Sequence, residues 1–253
     1  MGQTFDERFE FNQASQNQLI YDEHLVRYQL AQSLASGKRV LDVATGSGYG
    51  AKMLAEAGAV SVKAVDISQE TIFKAKKNYN HKNIEFICDS AEGLSTIPNN
   101  SIDLVVSFET IEHLPNYNEY LKSLKRVLAP EGLVLISTPN KEVSKQKNPF
   151  HIKEFTRDEL ETILKQYFNK VRILNQYNGL ASYIETGKET KGSLSSNGET
   201  IYFVALCGDK LPEELNGAAS INPSALEHWQ NNPGWKIVNW FYVLLVRAGI
   251  IKR

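Results

Sequence analysis

The sequence predicts an α/β fold, in which a mostly parallel β-sheet carries helices on both faces. Apolar runs of strand length alternate with helical patterns along most of the 253 residues, which is the order that parallel sheets require. The strand-length runs, such as IDLVVSF and GLVLIST, are almost continuously apolar, as strands buried on both faces are. A glycine-rich turn after the first run leads directly into a helix.

Five strands and their neighbouring helices occupy the first part of this alternation. The predicted strands are Lys38 to Val43, Ser61 to Val65, Asn83 to Ile87, Ile102 to Ser107 and Leu133 to Ser137. The predicted helices are Asn17 to Leu34, Tyr49 to Gly58, Gln69 to Tyr79 and Tyr117 to Leu128. Pro130 and Gly132 are expected to end the last of these helices, because both residue types disfavour a helix interior.

The pattern changes after the fifth strand. A polar loop is predicted from Lys141 to Pro149. Thr156 then precedes an amphipathic helix, and Glu159 follows three residues later, which is the spacing of a capping box. A long polar loop rich in Gly and Ser separates the last two predicted strands, Val171 to Gln176 and Thr200 to Cys207.

Composition places the chain among ordinary globular proteins. Hydrophobic residues make up 42% and charged residues 23% of the sequence, which is enough apolar material for a core. The formal net charge of −1 speaks against nucleic acid as a partner. Cys88 and Cys207 lie in strand-like runs without metal-ligand spacing, so we expect two buried thiols. With no apolar signal-peptide core and no run long enough to span a bilayer, a cytoplasmic location is expected.

The stretch VLDVATGSGYG, from Val40 to Gly50, combines an apolar strand, an acidic residue and a glycine-rich turn that enters a helix. Gly46 and Gly48 allow the backbone to approach a ligand closely, and the start of the helix adds its N–H groups. The pattern also suits a dinucleotide, although residue 51 is Ala where a third glycine is usual. The turn alone therefore predicts a cofactor that contains a nucleoside, but it does not distinguish a dinucleotide from other cofactors of this kind.

Other motifs follow in an order that narrows the choice. Asp66 ends the second strand about 20 residues after the turn. Asp89 and Ser90 follow the third strand, SFETIEHL ends the fourth, and LKRVLAPEGLVLISTPN contains the fifth. Together with the turn, these motifs resemble the class I S-adenosylmethionine-dependent methyltransferases over roughly residues 20 to 207. The resemblance implies a Rossmann-like, seven-stranded sheet whose last strand is antiparallel and inserted beside the fifth, and Thr200 to Cys207 fits that strand.

The resemblance also implies S-adenosyl-L-methionine as the cofactor. In that family the acid of the first strand, here Asp42, and the glycine-rich turn hold the methionine end. Asp66 would hold the ribose, and Asp89 with its neighbours the adenine. The cofactor-binding residues predicted on this basis are Asp42, Ala44, Gly46, Gly48, Tyr49, Asp66, Ile67, Asp89, Ser90, Ala91 and Phe108. Taken singly, Asp42 could merely cap the turn and Asp66 could be an ordinary strand-end acid, but their joint occurrence favours a cofactor.

Three potential metal ligands follow the fourth strand. Glu109, Glu112 and His113 are spaced i, i+3 and i+4, so a helical turn there would place them on one face. His151, after the fifth strand, could be a fourth ligand. This ExxEH spacing, with a later His before IKEFTR, resembles the small-RNA 3′-end 2′-O-methyltransferases, and ubiquinone-pathway O-methyltransferases carry similar motifs. Two carboxylates and an imidazole, with His151 as the fourth ligand, could bind Mg²⁺, Mn²⁺, Fe²⁺ or Zn²⁺, of which Mg²⁺ or Mn²⁺ is the expected cation.

Such a site would activate hydroxyl groups. A cation bound to neighbouring hydroxyls lowers their pKa, and His113 or His151 would then take the proton as the catalytic base. The alternative is a site without metal, because many methyltransferases have an EH pair at this place and no known metal. In that case His113 is a simple base or a structural residue.

The acceptor is indicated by resemblance alone. EHLVRYQLA, FETIEHL, STPNK and NPFHIKEF together are similar to methyltransferases of bacterial surface-polysaccharide synthesis, which implies a sugar hydroxyl on a glycan or small-molecule acceptor. An RNA 3′-terminal 2′-O-methyltransferase is the second hypothesis, and the net charge of −1 counts against it. A protein that binds S-adenosylmethionine without catalysis is the third, and the intact set of Asp, Glu and His residues argues against it.

The predicted domain limits are 1–36 for an N-terminal helical cover, 37–210 for the Rossmann-like domain and 211–253 for a C-terminal helical extension. The extension ends in WKIVNWFYVLLVRAGIIKR, an aromatic and apolar segment flanked by Lys and Arg. As an amphipathic helix it could make a peripheral membrane contact near lipid-linked glycan. Packing on the domain or on another subunit is the favoured alternative.

Overall fold

A computed structural model describes residues 18–144, 148–178, 181–185, 200–215 and 218–221. Its helices are α1 Gln18–Ala35, α2 Tyr49–Glu56, α3 Gln69–Asn78, α4 Tyr117–Val127 and α5 Arg157–Leu164, and a single 3₁₀ turn spans Ile111–His113. Its strands are β1 Arg39–Val43, β2 Ser61–Asp66, β3 Ile84–Cys88, β4 Ile102–Phe108, β5 Leu128–Pro139, β6 Lys170–Asn178, β7 Ala181–Glu185, β8 Thr200–Gly208 and β9 Ala218–Ile221. None of the described helices is both long and apolar enough to cross a membrane.

The described strands form one sheet in the order β3-β2-β1-β4-β5-β8-β6-β7-β9. β1 pairs in parallel with β2 and β4, and β5 continues the parallel set beside β4. β8 pairs antiparallel with both β5 and β6, and its pairing with β5 runs from Leu133 opposite Gly208 to Pro139 opposite Tyr202. The predicted Rossmann-like arrangement, with one antiparallel strand inserted beside the fifth, is therefore confirmed.

Two short strands extend the sheet beyond the expected seven. β7 pairs antiparallel with β6, and β9 pairs antiparallel with β7. β9 lies in the segment 211–253 for which a helical extension is predicted, so that prediction is wrong for Ala218–Ile221. The physical reason is that β7 offers a row of backbone N–H and C=O groups at the sheet edge, which a neighbouring strand satisfies. The aromatic tail beyond residue 221 lies outside the described residues.

Alternate residues of the central strands enter hydrophobic clusters on the two faces of the sheet. In β4, Val105 packs into the cluster that includes α4 and α5, whereas Leu104 and Val106 pack into the cluster that includes α1 and α2. Val26 and Leu30 of α1 are fully buried in the second cluster. Both faces of the sheet are thus covered, as the continuous apolar runs of the strands predict.

Two local departures from prediction follow from strand pairing. β3 has β2 as its one described neighbour, and Cys88 at its end is exposed, whereas Cys207 in β8 is buried. The expectation of a buried thiol is therefore correct for Cys207 and wrong for Cys88. β5 begins earlier than predicted, because Leu128 already pairs with Ile102 directly after α4 ends.

Candidate active site

The glycine-rich turn joins the end of β1 to the start of α2. Gly48 is the N-cap of α2 with φ +88°, and a Cβ there would meet the Phe86 ring at 2.8 Å and Ala75 at 2.9 Å. Gly46 has φ +57°, but a Cβ there would meet nothing within 4 Å. Packing therefore requires glycine at residue 48, whereas Gly46 leaves an open backbone surface that a ligand can approach closely.

Asp66, at the end of β2, holds this turn from the side. Its Oδ2 accepts a hydrogen bond from Gly46 N at 3.1 Å, and its Oδ1 accepts one from Ser68 N at 2.9 Å. Asp66 is buried. Its carboxylate thus lies between the glycine-rich turn and the start of α3, at the edge of the sheet where open α/β proteins bind their ligands.

Asp42 lies beneath the turn and is fully buried. Tyr28 OH donates to its Oδ1 at 3.0 Å, and Thr45 Oγ1 donates to its Oδ2 at 2.6 Å. Burial raises the pKa of Asp42 from 3.8 to about 7, and the two hydroxyl donors oppose this rise only in part. Asp42 therefore contacts the glycine-rich turn from inside the protein, through the hydroxyl of Thr45.

Three other predicted cofactor residues surround the same turn. Ala44 is exposed and has φ +56°, a left-handed conformation that is costly for a residue with a Cβ. Tyr49 and Phe108 are buried, and their rings lie 5.3 and 5.1 Å from the ring of Tyr28. These two aromatic residues therefore pack beneath α1, and Ala44 is the one of the three that faces solvent.

The segment after β3 forms a hydrogen-bonded loop of its own. Each carboxylate oxygen of Asp89 accepts two hydrogen bonds from the segment 90–96, at 2.7 to 3.1 Å. Burial alone would raise the pKa of Asp89, but these hydrogen bonds lower it below its ordinary value. Ser90 and Ala91 are half-buried, and Ile67 after β2 is 70% exposed. Asp89 thus shapes the loop, while Ile67 offers the exposed apolar surface at this end of the site.

Glu112, His113 and His151 come together beyond the carboxyl end of β4. One potential ligand atom from each of the three lies within 4.8 Å of the others. The 3₁₀ turn carries the first two residues. The backbone N–H groups of Ile152 and Lys153 donate to Glu112 O at 2.8 and 3.1 Å, and these bonds hold the segment that contains His151 against the turn.

Glu112 is fully buried. The Thr138 hydroxyl and the backbone of Glu112 itself lie close enough to favour its charged form, but neither carboxylate oxygen has a hydrogen bond of good geometry within the described part of the chain. Burial raises the pKa of Glu112 well above its ordinary value, and the charge of Glu109 acts in the same direction. A buried carboxylate without such partners is costly. A cation or a proton at this position would remove that cost.

The two histidine rings lie edge to face, with their centroids 4.8 Å apart. His113 Nδ1 lies 3.1 Å from the carbonyl oxygen of Phe150. His151 Nδ1 lies 2.7 Å from Glu154 Oε1, and its Nε2 lies 3.1 Å from Asn148 Nδ2. Both histidines are half-buried, so the rings are held in place and remain accessible to a ligand.

Glu109 is not part of this cluster, contrary to the prediction that it shares one face with the other two residues of the ExxEH motif. Its Oε1 accepts hydrogen bonds from Arg27 Nη1 at 2.9 Å and from Ser137 Oγ at 2.6 Å. The reason is local. Glu109 has φ +50° and precedes the 3₁₀ turn, which begins at Ile111, so the rule for neighbours on a helix does not apply to it.

Sequence reasoning did not single out the buried polar residues of α1. Arg27 is fully buried, its Cζ lies 4.5 Å from the centroid of the Tyr202 ring, and its Nε and Nη2 have no hydrogen-bond partner among the described residues. Tyr202 OH donates to Glu23 Oε2 at 2.8 Å. The available signal was the i, i+4 spacing of Glu23 and Arg27, but solvated pairs on helix surfaces have the same spacing.

The sheet order, the glycine-rich turn and the polar carboxyl edge together define a Rossmann-like methyltransferase fold. Residues 14–185 match the family described as "Methyltransferase domain". Because this match spans well over half of the chain, the chain belongs to that family.

Two relatives and one solved structure illustrate the similarity. A probable S-adenosylmethionine-dependent methyltransferase of Mycobacterium tuberculosis is 32% identical over 149 residues, which are 57% of this chain and 53% of the relative. A ubiquinone biosynthesis O-methyltransferase of Neisseria meningitidis is 34% identical over 108 residues, which are 42% of this chain and 45% of the relative. The chain thus spans about half the length of these relatives.

The solved structure shares the fold. The N-methyltransferase NodS from Bradyrhizobium japonicum, in complex with S-adenosyl-L-homocysteine, has a TM-score of 0.55 and 15% identity, and the superposition covers 77% of this chain and 89% of that one. At this level of identity the likeness concerns the arrangement of strands and helices alone.

Proposed function

We propose that the chain is an S-adenosylmethionine-dependent O-methyltransferase that acts on a hydroxyl group of a sugar, a glycan or a similar small molecule. The observation that carries the proposal is the placement of two sites at one edge of the sheet. The glycine-rich turn follows β1, the cluster of Glu112, His113 and His151 lies beyond β4, and β1 and β4 are paired neighbours. Open α/β sheets bind ligands at this edge. The turn would hold the methyl donor and the cluster the acceptor.

The residues around the turn fit the proposed cofactor. S-adenosylmethionine supplies an electrophilic methyl group when it is bound. Gly46 presents an open backbone surface, since a Cβ there would meet nothing within 4 Å. Asp66 lies directly beside it, and the exposed Ile67 offers an apolar face for adenine. Asp42 and Gly48 would support this surface from within rather than line it.

The cluster fits a divalent cation. The buried carboxylate of Glu112 and the two imidazoles form a two-histidine, one-carboxylate donor set. Such a set suits Mn²⁺, Fe²⁺ or Zn²⁺ better than Mg²⁺, which prefers oxygen ligands. A cation held by these three residues would lower the pKa of an acceptor hydroxyl. Glu109 would stay outside the donor set, because its carboxylate is bonded to Arg27 and Ser137.

The protein's own groups account for the rest of the proposed reaction. Without a cation, His113 or His151 would accept the proton of the acceptor hydroxyl, because a neutral imidazole is an effective base near neutral pH. With a cation held by both rings, the proton of the acidified hydroxyl would pass to solvent water. The acceptor oxygen would then form its bond to the methyl carbon as the bond from that carbon to sulfur breaks. Holding the two reactants at neighbouring strand ends contributes by proximity and orientation.

Two observations support the proposed acceptor. A relative named as a ubiquinone biosynthesis O-methyltransferase supports oxygen as the acceptor atom. The resemblance of four short motifs to polysaccharide methyltransferases supports a sugar. RNA is the alternative acceptor, and a formal net charge of −1 provides little attraction for a phosphate backbone.

Calorimetric titration with S-adenosylhomocysteine, followed by Mn²⁺ and Mg²⁺, tests the binding steps. We expect the wild type to bind S-adenosylhomocysteine and Mn²⁺, and Glu112→Ala to bind S-adenosylhomocysteine alone. Glu161→Ala is the matched control, because that glutamate pairs with Lys165 on the surface, and it should behave as the wild type. If S-adenosylhomocysteine binds and Mn²⁺ does not, the protein is still proposed to be a methyltransferase, with histidine as a base and without a cation. If S-adenosylhomocysteine does not bind, the proposal is refuted.

Transfer of a labelled methyl group tests the acceptor. The substrates to compare are sugars and oligosaccharides with neighbouring hydroxyls, a small aromatic diol, and an RNA oligomer with a free 3′-terminal diol. We expect label in a sugar or in the small diol. Labelling of RNA alone would replace the proposed acceptor class. If S-adenosylhomocysteine binds but no acceptor becomes labelled, the result would favour a protein that binds the cofactor without catalysis.

A further inference from the structure

A chain of hydrogen bonds that begins at Phe150 fixes the protonation of the His151 ring. Phe150 N donates to Asn148 Oδ1 at 3.0 Å, which identifies the oxygen of that carboxamide and directs its Nδ2 group elsewhere. Asn148 Nδ2 lies 3.1 Å from His151 Nε2. An amide NH₂ group can only donate, so His151 Nε2 must be an unprotonated acceptor.

The other ring nitrogen of His151 therefore carries the proton. Its Nδ1 lies 2.7 Å from Glu154 Oε1, which also accepts a hydrogen bond from Ser144 Oγ at 3.0 Å. In a neutral imidazole one nitrogen donates while the other accepts, and Glu154 is the acceptor that the Nδ1 proton meets. The side chains of His151 and Glu154 are 13% and 16% exposed, so the contact is largely shielded from water.

His113 reaches the same tautomer through a different partner. Its Nδ1 lies 3.1 Å from Phe150 O, and a carbonyl oxygen can only accept, so Nδ1 carries the proton here as well. The backbone of Phe150 thus takes part in both arrangements, through its carbonyl at His113 and its N–H at Asn148. The tautomer of His113 is set by the main chain, whereas that of His151 depends on side chains that substitution can remove.

We propose that Glu154 is a positioning residue for His151, assisted by Asn148. Glu154 holds the proton on Nδ1 and thereby keeps the lone pair on Nε2, where a substrate proton or a cation would take the place of the Asn148 Nδ2 donor. Carboxylates behind ligating histidines fix the tautomer and the ring orientation in this way. The consequence for activity rests on the proposed function, but the tautomer itself exists independently of any reaction.

The test reads the tautomer by ¹⁵N NMR of protein labelled at histidine, at a pH about two units above the ordinary histidine pKa of about 6.5. His151→Gln supplies the assignment. We expect wild-type His151 to show a protonated Nδ1 and an unprotonated Nε2. Glu154→Ala removes the acceptor of the Nδ1 proton and should admit a fraction of the Nε2–H form, while Asn148 Nδ2 still faces Nε2. Asn148→Ala combined with Glu154→Ala should admit the Nε2–H form freely, and Asn148→Ala alone should keep the wild-type pattern. Glu154→Gln, whose amide oxygen can still accept, should restore the wild-type pattern, and Glu161→Ala should leave it unchanged.

Binding measurements on the same variants complete the test. Mn²⁺ affinity should fall about 10- to 100-fold in Glu154→Ala, while the affinity for S-adenosylhomocysteine stays unchanged and Glu154→Gln recovers most of the loss. An Nδ1–H pattern that Glu154→Ala leaves unaltered even when Asn148 is also replaced by Ala would overturn the proposal. If the wild type binds no Mn²⁺ and methylates nothing, the proposed function fails, and the NMR comparison still decides whether Glu154 sets the tautomer.

Discussion

Replacing Asp42 by Asn tests the electrostatics beneath the glycine-rich turn. The carboxyl group is fully buried, and burial raises its pKa from 3.8 to about 7 against the opposing effect of two hydroxyl donors. Between about pH 4 and about pH 7 the native state therefore holds a proton that the unfolded chain has already released, so stability falls as the pH rises through this interval. At about 1.4 kcal/mol per pH unit, the full loss is about 4 kcal/mol and is complete above the folded pKa.

Asn has nearly the same shape and cannot ionise, so Asp42→Asn should remove this pH dependence. We expect the free energy of unfolding of the wild type, relative to the variant, to fall by about 2 to 3 kcal/mol between about pH 5 and about pH 7. Urea denaturation followed by circular dichroism at several pH values measures this difference. A difference that does not change with pH over the interval would refute the argument from burial.

Asp103 provides a control of opposite sign. Its carboxylate accepts hydrogen bonds from Arg39 Nη2 at 2.7 Å and Arg39 Nε at 3.0 Å, and these bonds lower its pKa. The stabilisation from Asp103 is therefore present above the unfolded carboxyl pKa and is lost as the pH falls through the lower folded value. Both values lie below about pH 5, so Asp103→Asn should leave the pH dependence between about pH 5 and about pH 7 unchanged.

Three further sets of substitutions concern backbone conformation and buried charge. Gly48→Ala should unfold at a distinctly lower temperature, because its Cβ would meet Phe86 at 2.8 Å. In Gly46→Ala the added Cβ has open space, so the free energy of unfolding should fall by only about 1 to 2 kcal/mol. The same variant should bind S-adenosylhomocysteine more weakly in calorimetry. A larger loss of stability in Gly46→Ala than in Gly48→Ala would contradict the roles assigned to the two glycines. Ala44→Gly should stabilise the fold by about 1 kcal/mol in thermal unfolding, because the residue is exposed with φ +56°; no gain would argue against strain there. Arg27→Met should cost about 3 to 5 kcal/mol in urea denaturation, because the carboxylate of Glu109 loses its positively charged partner and keeps only the Ser137 hydroxyl. Adding Glu109→Gln should recover part of this loss; no recovery would show that the ion pair is not its cause.

The sequence by itself determined the local elements of the domain, because periodicity and capping act over a few residues. The helix after Thr156 shows this, since Thr156 Oγ1 accepts from Glu159 N at 3.3 Å and Glu159 Oε2 accepts from Thr156 N at 2.8 Å. The early start of β5 at Leu128 and the strand Ala218–Ile221 depend on partners distant in sequence. Patterns within a segment contain no information about such pairing.

The candidate site divides in the same way. Spacing in the sequence singled out Glu109, Glu112 and His113, and the place after the fifth strand singled out His151. The tertiary structure brings Glu112, His113 and His151 together. Only the tertiary structure shows that the Glu109 carboxylate pairs with Arg27 instead of the cluster, and that Glu154 contacts Nδ1 of His151. Sequence spacing identifies residues that share a turn, but long-range packing decides which side chains are buried. A buried charge or imidazole that no longer contacts water needs a hydrogen-bond or charge partner within the protein.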